Sequence, residues 1–206
     1  MRGTPIAFLM TLATQAGAGS LTTTMTAFVS DAQVKLEQQK LTGQINGVSL
    51  AAKYKFYPDW HLQYEHLSGN GNLNGTIEDF NFNQNLLYGY KTFEVFNSLF
   101  SSWDLTYDFG AGFYHKKSKL GNENYEDSQF PVIIVAEMTN TSGVKISFSG
   151  LGQLDNLMNN RSGSLSFATP LASNVSLIGK YTNHTSKVNG LQHCGSDYLI
   201  GFSIRF

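Results

Sequence analysis

One pattern constrains this chain more than any other: apolar residues fall on every second position, in run after run, from about residue 22 to the last residue. Segment 43–57 sets Val48, Leu50, Ala52, Tyr54 and Phe56 on one parity and Ser49, Ala51, Lys53 and Lys55 on the other. Segment 103–114 sets Trp103, Leu105, Tyr107, Phe109, Ala111 and Phe113 against Asp104, Thr106, Asp108, Gly110 and Gly112. The final run sets Tyr198, Ile200, Phe202, Ile204 and Phe206 against Gly201, Ser203 and Arg205. Side chains of a strand point alternately to its two faces, so each run has one oily face and one wet or small face.

Shorter runs fill the gaps. Trp60, Leu62 and Tyr64 oppose His61, Gln63 and Glu65, while Phe80, Phe82, Leu86, Tyr88 and Tyr90 share one parity interrupted by Gln84. Phe130, Val132, Ile134, Ala136 and Met138 form a set that Ile133 and Val135 blur. Val144, Ile146 and Phe148, then Leu165 and Phe167, then Val175, Leu177 and Tyr181 continue the series, and 22–37 is the least regular. Ten candidate strands result. Short turns are expected at Pro58-Asp59, Asn97–Ser102, Thr139–Gly143 and Pro170–Asn174, and longer links at 37–42, 67–76, 115–128, 154–162 and 184–195.

Composition decides which all-β architecture fits. Charged residues are 14% and aromatics 13%, yet no stretch approaches the ~18 consecutive apolar residues of a spanning helix. A transmembrane up-and-down antiparallel β-barrel of about ten strands (8 or 12 being the neighbouring even counts) needs neither, because its strands are apolar on one face only. Short turns on one rim and longer loops on the other fit that architecture, and an even count puts both chain ends on one rim. Trp60, Trp103, Tyr57 and Phe96 lie beside short turns, where an aromatic girdle belongs. A soluble sandwich or lipocalin-like barrel is the alternative that composition alone does not reject.

Residues 1–18 read as a secretory signal, with Arg2, an apolar stretch from Pro5 to Ala13 and Ala16-Gly17-Ala18 as the cleavage site; the competing reading is an extra strand or its remnant. Residues 19–206 then form one barrel domain. Net charge is −1, without the basic stripe of a nucleic-acid binder. The lone Cys194 excludes an intrachain disulfide, the five His residues lack metal-ligand spacing, and no cofactor is expected.

The run Tyr198-Leu-Ile-Gly-Phe-Ser-Ile-Arg-Phe206 resembles the closing strand of Gram-negative outer-membrane β-barrel proteins, in which alternating apolar residues lead to a terminal aromatic. Beyond these nine residues the likeness is one of pattern, closest to small adhesin, opacity-type and solitary autotransporter-type barrels. The resemblance implies an outer-membrane location, with lipid and lipopolysaccharide as surroundings. It also implies delivery by barrel-assembly machinery that reads Phe206, and it implies no activity.

Facing the lumen, the polar stripes bring Lys53, Lys55, Lys145, Lys180 and Arg205 together with Glu65, Asp104, Asp108 and Glu137. The signs nearly balance, and a ten-strand barrel lies near the size that side chains fill. A plugged polar lumen is therefore expected, with surface loops that bind an extracellular ligand or a barrel that stiffens the envelope. The loops at 67–76 and 115–128 are the binding candidates. A narrow small-solute channel is one alternative. The other is a lipid-directed hydrolase, because His184, Ser186 and Asp197 supply base, nucleophile and acid. His184-Thr185-Ser186 is similar to the His-x-Ser of outer-membrane lipid A 3-O-deacylases, but Lys187 stands where those enzymes have Asn, and their acid is Glu. His115 with Glu123, Glu126 and Asp127 supplies the residue types of an omptin-like protease without its motif.

Overall fold

A computed structural model describes residues 20–36, 39–74, 79–95, 102–153 and 160–206. The expected signal segment 1–18, Phe96, the turn residues 97–101 and the link residues 37–38, 75–76 and 154–159 lie outside them. The described residues form eleven antiparallel strands: β1 (Ser20–Leu36), β2 (Gln39–Tyr57), β3 (Trp60–Asn74), β4 (Asp79–Val95), β5 (Trp103–Leu120), β6 (Glu123–Gln129), β7 (Val132–Asn140), β8 (Lys145–Gly152), β9 (Arg161–Ala172), β10 (Val175–Val188) and β11 (Leu191–Arg205). β1 also pairs with β11, Thr22 opposite Arg205, so the sheet closes on itself.

Eleven strands make ten wall positions. β6 lies along the upper part of β5 and β7 along its lower part. The break between them falls at Phe130 and Pro131, where the proline has no N–H to give to a ladder. Ser20, where β1 begins, and the end of β11 reach the rim that carries the Pro58-Asp59 turn, here the lower rim. At the upper rim β5 turns into β6 at Gly121, and β10 turns into β11 at Asn189-Gly190, with φ of 44° and 89°. Such left-handed pairs suit tight hairpins.

The wall has two storeys. In the lower one the oily stripe faces outward: Met25, Val48, Phe109, Phe113, Ile134, Phe148, Phe167 and Phe202 are all exposed. An exposed apolar belt of this kind, interrupted on β1 to β3 where Leu21, Ala52, Tyr54 and Tyr64 are buried together, is what a transmembrane barrel presents to lipid, and about ten residues per tilted strand suffice to cross. β1 to β5 have 15 to 19 residues and so overshoot the belt. In this upper storey the chemistry of the two faces swaps while the parity continues. Asp31 and Lys35 point out as Ala32 and Val34 are buried inside; Gln44 and Asn46 point out as Ile45 is buried.

Inward apolar residues of the upper storey meet across the lumen. Phe28, Val34, Leu41, Ile45, Leu73, Phe80, Phe82, Leu120, Tyr125 and Leu191 form one cluster, with Phe80, Ile45 and Val34 fully buried. It fits because one row around the wall alternates in size: Leu199, Phe28, Gly47, Gly69, Phe82, Ser118 and Tyr125 are successive cross-strand partners. The rings of Phe28 and Phe82 lean together over the two glycines, centroids 6.2 Å apart. Large-beside-small packing fills a small barrel without voids.

Three expectations are corrected. Phe80, Phe82, Leu86, Tyr88 and Tyr90 share a parity, but it faces the lumen; Tyr90 and Tyr88 lie opposite Gly110 and Gly112, which leave room for their rings. Residues 39–42, 67–74, 115–120, 123–128, 184–188 and 191–195 pair as strands, so the described connections of the upper rim are tight and the asymmetry between rims is strand overshoot. For Phe80, Phe82 and the strand extensions the cause is that, above the belt, apolar side chains gain by burial inside and polar ones by facing water; Tyr88 and Tyr90 face the lumen at belt height, where Gly112 and Gly110 leave them room. The sixth strand is in two pieces, which the Pro131 break explains.

Candidate functional site

Beneath the apolar cluster the lumen holds a cavity of about 320 Å³. Several of the expected lumenal charges line it. Lys180 reaches from β10 to Glu65 on β3, Nζ to Oε1 3.7 Å, and Lys53 lies 5.0 Å above the ring of Tyr90. Asp108 accepts a hydrogen bond from Thr92 Oγ1 (2.6 Å), and Lys145 pairs with Glu137 at 2.6 Å. Lys55, Asp104 and Arg205 are exposed near the lower rim.

At the upper end of the cavity stands a buried chain of ionisable groups. His184 Nδ1 lies 3.2 Å from Asp197 Oδ2, and Lys116 Nζ lies 2.9 Å from His193 Nδ1. The two imidazoles meet edge to face, centroids 4.7 Å apart. An ammonium can only donate, so His193 Nδ1 is the acceptor and its proton sits on Nε2. That Nε2–H has no partner; neither does His184 Nε2. Lys116 is 1% exposed and joins β5 to β11 across the lumen, below the rings of Phe80 and Phe82.

These groups lie above the apolar belt, and burial shapes their titration. It lowers Lys116 to about 8, with Asp197 opposing. Burial, then the charge of Lys116, then His184, keeps His193 well below its ordinary value. For Asp197 burial acts upward, but the hydrogen bond and charge of His184, then a hydrogen bond from the Ser30 hydroxyl, with Lys116 behind, hold it below the usual carboxylate range. A histidine neutral in the fold but free to take a proton once unfolded weakens the fold as pH falls below its free value of ~6.5. Asp197, whose folded value is depressed, withdraws its contribution only below ~4. The heat-unfolding midpoint is thus expected to drop between pH 7 and pH 5. The double variant Lys116→Met/His193→Phe should flatten that drop; an equal drop in it would contradict the assignment to His193.

The structure brings the three hydrolase candidates onto one inward face. Ser186 is buried beside His193, its cross-strand partner, rather than within a bonded triad with His184. All three face the lumen, on the side of the wall away from the apolar belt. His115 is 3.4 Å from Glu126 and 2.9 Å from Ser128 on the outward face, with Lys117 3.1 Å from the same glutamate. Glu123 and Asp127 are engaged elsewhere, with Tyr125 and Gln129. Phe206 is exposed, its N–H donating to the Leu21 carbonyl at 2.8 Å.

Sequence reasoning missed Lys116 and His193. Both sit in segments expected to be loops, and the available signal was alternation itself: Lys116 and Ser118 share parity with Tyr114 and Leu120.

No protein-family profile and no curated protein sequence matches the chain. Among solved structures, the attachment invasion locus protein Ail of Yersinia pestis aligns at 14% identity, over 90% of this chain and 98% of that one, with a TM-score of 0.40. Neisserial surface protein A aligns at 10% identity, over 89% and 97%, with a TM-score of 0.48. The outer membrane protein OprG from Pseudomonas aeruginosa aligns at 12% identity, over 92% and 96%, with a TM-score of 0.40. None of these likenesses bears on what this chain binds or does.

Proposed function

We propose that the chain is an outer-membrane β-barrel closed to through-passage, whose overshooting hairpins form a rigid surface-binding platform above the membrane. The observation that carries this reading is the reversal of face chemistry partway up the wall. An outward apolar belt calls for lipid, and the polar exterior with an apolar interior above it calls for water. The lower rim, with its short turns and the start of β1 and end of β11, is then periplasmic, and the upper storey extracellular. Charged and polar side chains on the outer faces of the overshoot, such as Lys35, Gln44 and Lys119, are what an extracellular partner meets.

Two measurements test it. The folded protein should fractionate with membranes and migrate faster on gels before heating than after; a soluble, heat-insensitive product would overturn the reading. In planar bilayers the protein should give no large stable conductance, because Phe28, Phe80 and Phe82 close the lumen.

A hydrolase acting on membrane lipid through Ser186 is disfavoured by its position. The acyl chains would lie against the outer belt, whereas Ser186 is buried on the lumen side. Release of fatty acid from lipopolysaccharide by the purified protein, abolished in Ser186→Ala, would reinstate that reading. In cells, removing Phe206 should lower the amount of inserted barrel, while in vitro refolding, for which the exposed ring makes little packing, should change little.

A further inference from the structure

The lumenal cavity is built like a ligand site, and its chemistry selects a class of ligand. One wall is a hydroxyl surface: Ser147, Ser149, Ser164, Ser166 and Thr182 line it from three adjacent strands, β8 to β10. The opposite wall is aromatic, with Tyr88 and Tyr90 side by side, ring centroids 5.5 Å apart. Charge on the lining cancels, four cationic side chains against four carboxylates. A neutral occupant is therefore favoured over an anion or a cation.

The upper end adds the specific sign of a missing partner. His193, 2% exposed, and His184 line the cavity, yet each keeps an unpaired polar atom: His193 Nε2–H, a donor, and His184 Nε2, an acceptor because its Nδ1–H faces Asp197. Leaving such atoms unpaired in a buried site is costly, and a molecule rich in hydroxyls answers both needs because each hydroxyl donates and accepts. About 320 Å³ is near the lower bound of ligand pockets, which suits one ring rather than a chain of them.

We propose that this chamber binds a neutral, monosaccharide-sized polyol, its apolar C–H face on Tyr88, since His61 and Lys53 already cover the Tyr90 ring. Its hydroxyls lie on the serine and threonine wall and reach the unpaired atoms of His184 and His193. The way in leads from the upper side, between β6 and β10. Among the described residues β9 begins at Arg161, so β10 has no strand partner there beyond Thr185 on that edge, and β6 is paired on one edge alone. An outer hollow of about 350 Å³ there shares Gln129 and Asn160 with the chamber. This goes beyond surface binding by the hairpins and does not depend on it.

The full chain, refolded in lauryldimethylamine oxide micelles to avoid sugar-headed detergent, is titrated calorimetrically with D-glucose, D-galactose, D-mannose and myo-inositol, and with sodium acetate and phosphate. Saturable one-to-one binding of at least one neutral polyol is expected. It should weaken at least about tenfold in Ser149→Trp, which fills the chamber, and in Tyr88→Leu, which removes a platform ring, and persist in Lys117→Ala on the outer face. Heat-modifiable migration establishes that each variant is folded; if Ser149→Trp is not, Tyr88→Leu decides. No saturable binding of any polyol, unchanged binding in the chamber variants, or preferential binding of acetate or phosphate overturns the proposal. Bilayer conductance bears on the closed barrel and leaves this result untouched.

Discussion

Replacing Gly47 by valine is expected to destabilise the barrel by about 3 kcal/mol and to loosen its upper storey. A Cβ at this position would sit 2.1 Å from the Ser68 carbonyl oxygen and 2.4 Å from the Phe28 ring. The carbonyl belongs to the neighbouring strand, so it cannot move without opening the β2–β3 ladder. The ring has nowhere to go either, because Gly69 is the floor it shares with Phe82, and a Cβ there would meet Phe82 at 2.7 Å. Overpacking that neither backbone nor rotamer can relieve is the costly kind. The measurement is the urea midpoint of the refolded protein, followed by gel migration. Gly150, on the outward face it shares with Ile134 and Phe148 and with open space where its Cβ would be, supplies the control: Gly150→Ala should shift the midpoint little. A Gly47→Val variant as stable as that control would mean that the upper storey is not packed as described.

The second large effect is expected at Asp197. Asp197→Ala removes the buried anion beside His184, leaving the imidazole Nδ1 without a partner and Lys116 without its nearby counter-charge. Breaking a buried charge arrangement from one side costs about 3–5 kcal/mol, because the remaining charge stays desolvated. Replacing the other linked pair as a unit is different: Lys116→Met/His193→Phe removes the ammonium and its acceptor together, which is near neutral when the volume is kept. The expected order of stability is thus wild type and the double variant close together, with Asp197→Ala well below both. Equal stability of all three would show that these groups are hydrated rather than buried in a dry chain.

Residues 103–113 and 198–206 show how much a sequence can carry. There alternation is uninterrupted and the oily residues face outward, and the strand and its two unlike faces follow from parity. Segment 67–74 shows the opposite. Ser68-Gly69-Asn70-Gly71-Asn72 has the composition of a loop, since Gly and Asn are poor strand formers. Yet it is strand, because Gly69 and Gly71 are the small members of rows whose large members, Phe28, Phe82 and Phe80, come from elsewhere in the chain. Nothing local records that need. Lys116 and His193, 77 residues apart, meet only because the barrel closes and brings β5 and β11 to face each other across the lumen.

What the chain determined by itself is therefore the existence of the strands, their meander order and their two-faced character, since period-two alternation is a property of each segment alone. Which face is inside is a separate matter. It depends on whether lipid or water lies beyond the wall at that height, and parity carries no information about height. Tertiary structure alone decided that Tyr88 and Tyr90 line a chamber while Tyr107 and Tyr198 line the belt, because only closure of the barrel sets each residue at a level and gives that level an interior to fill.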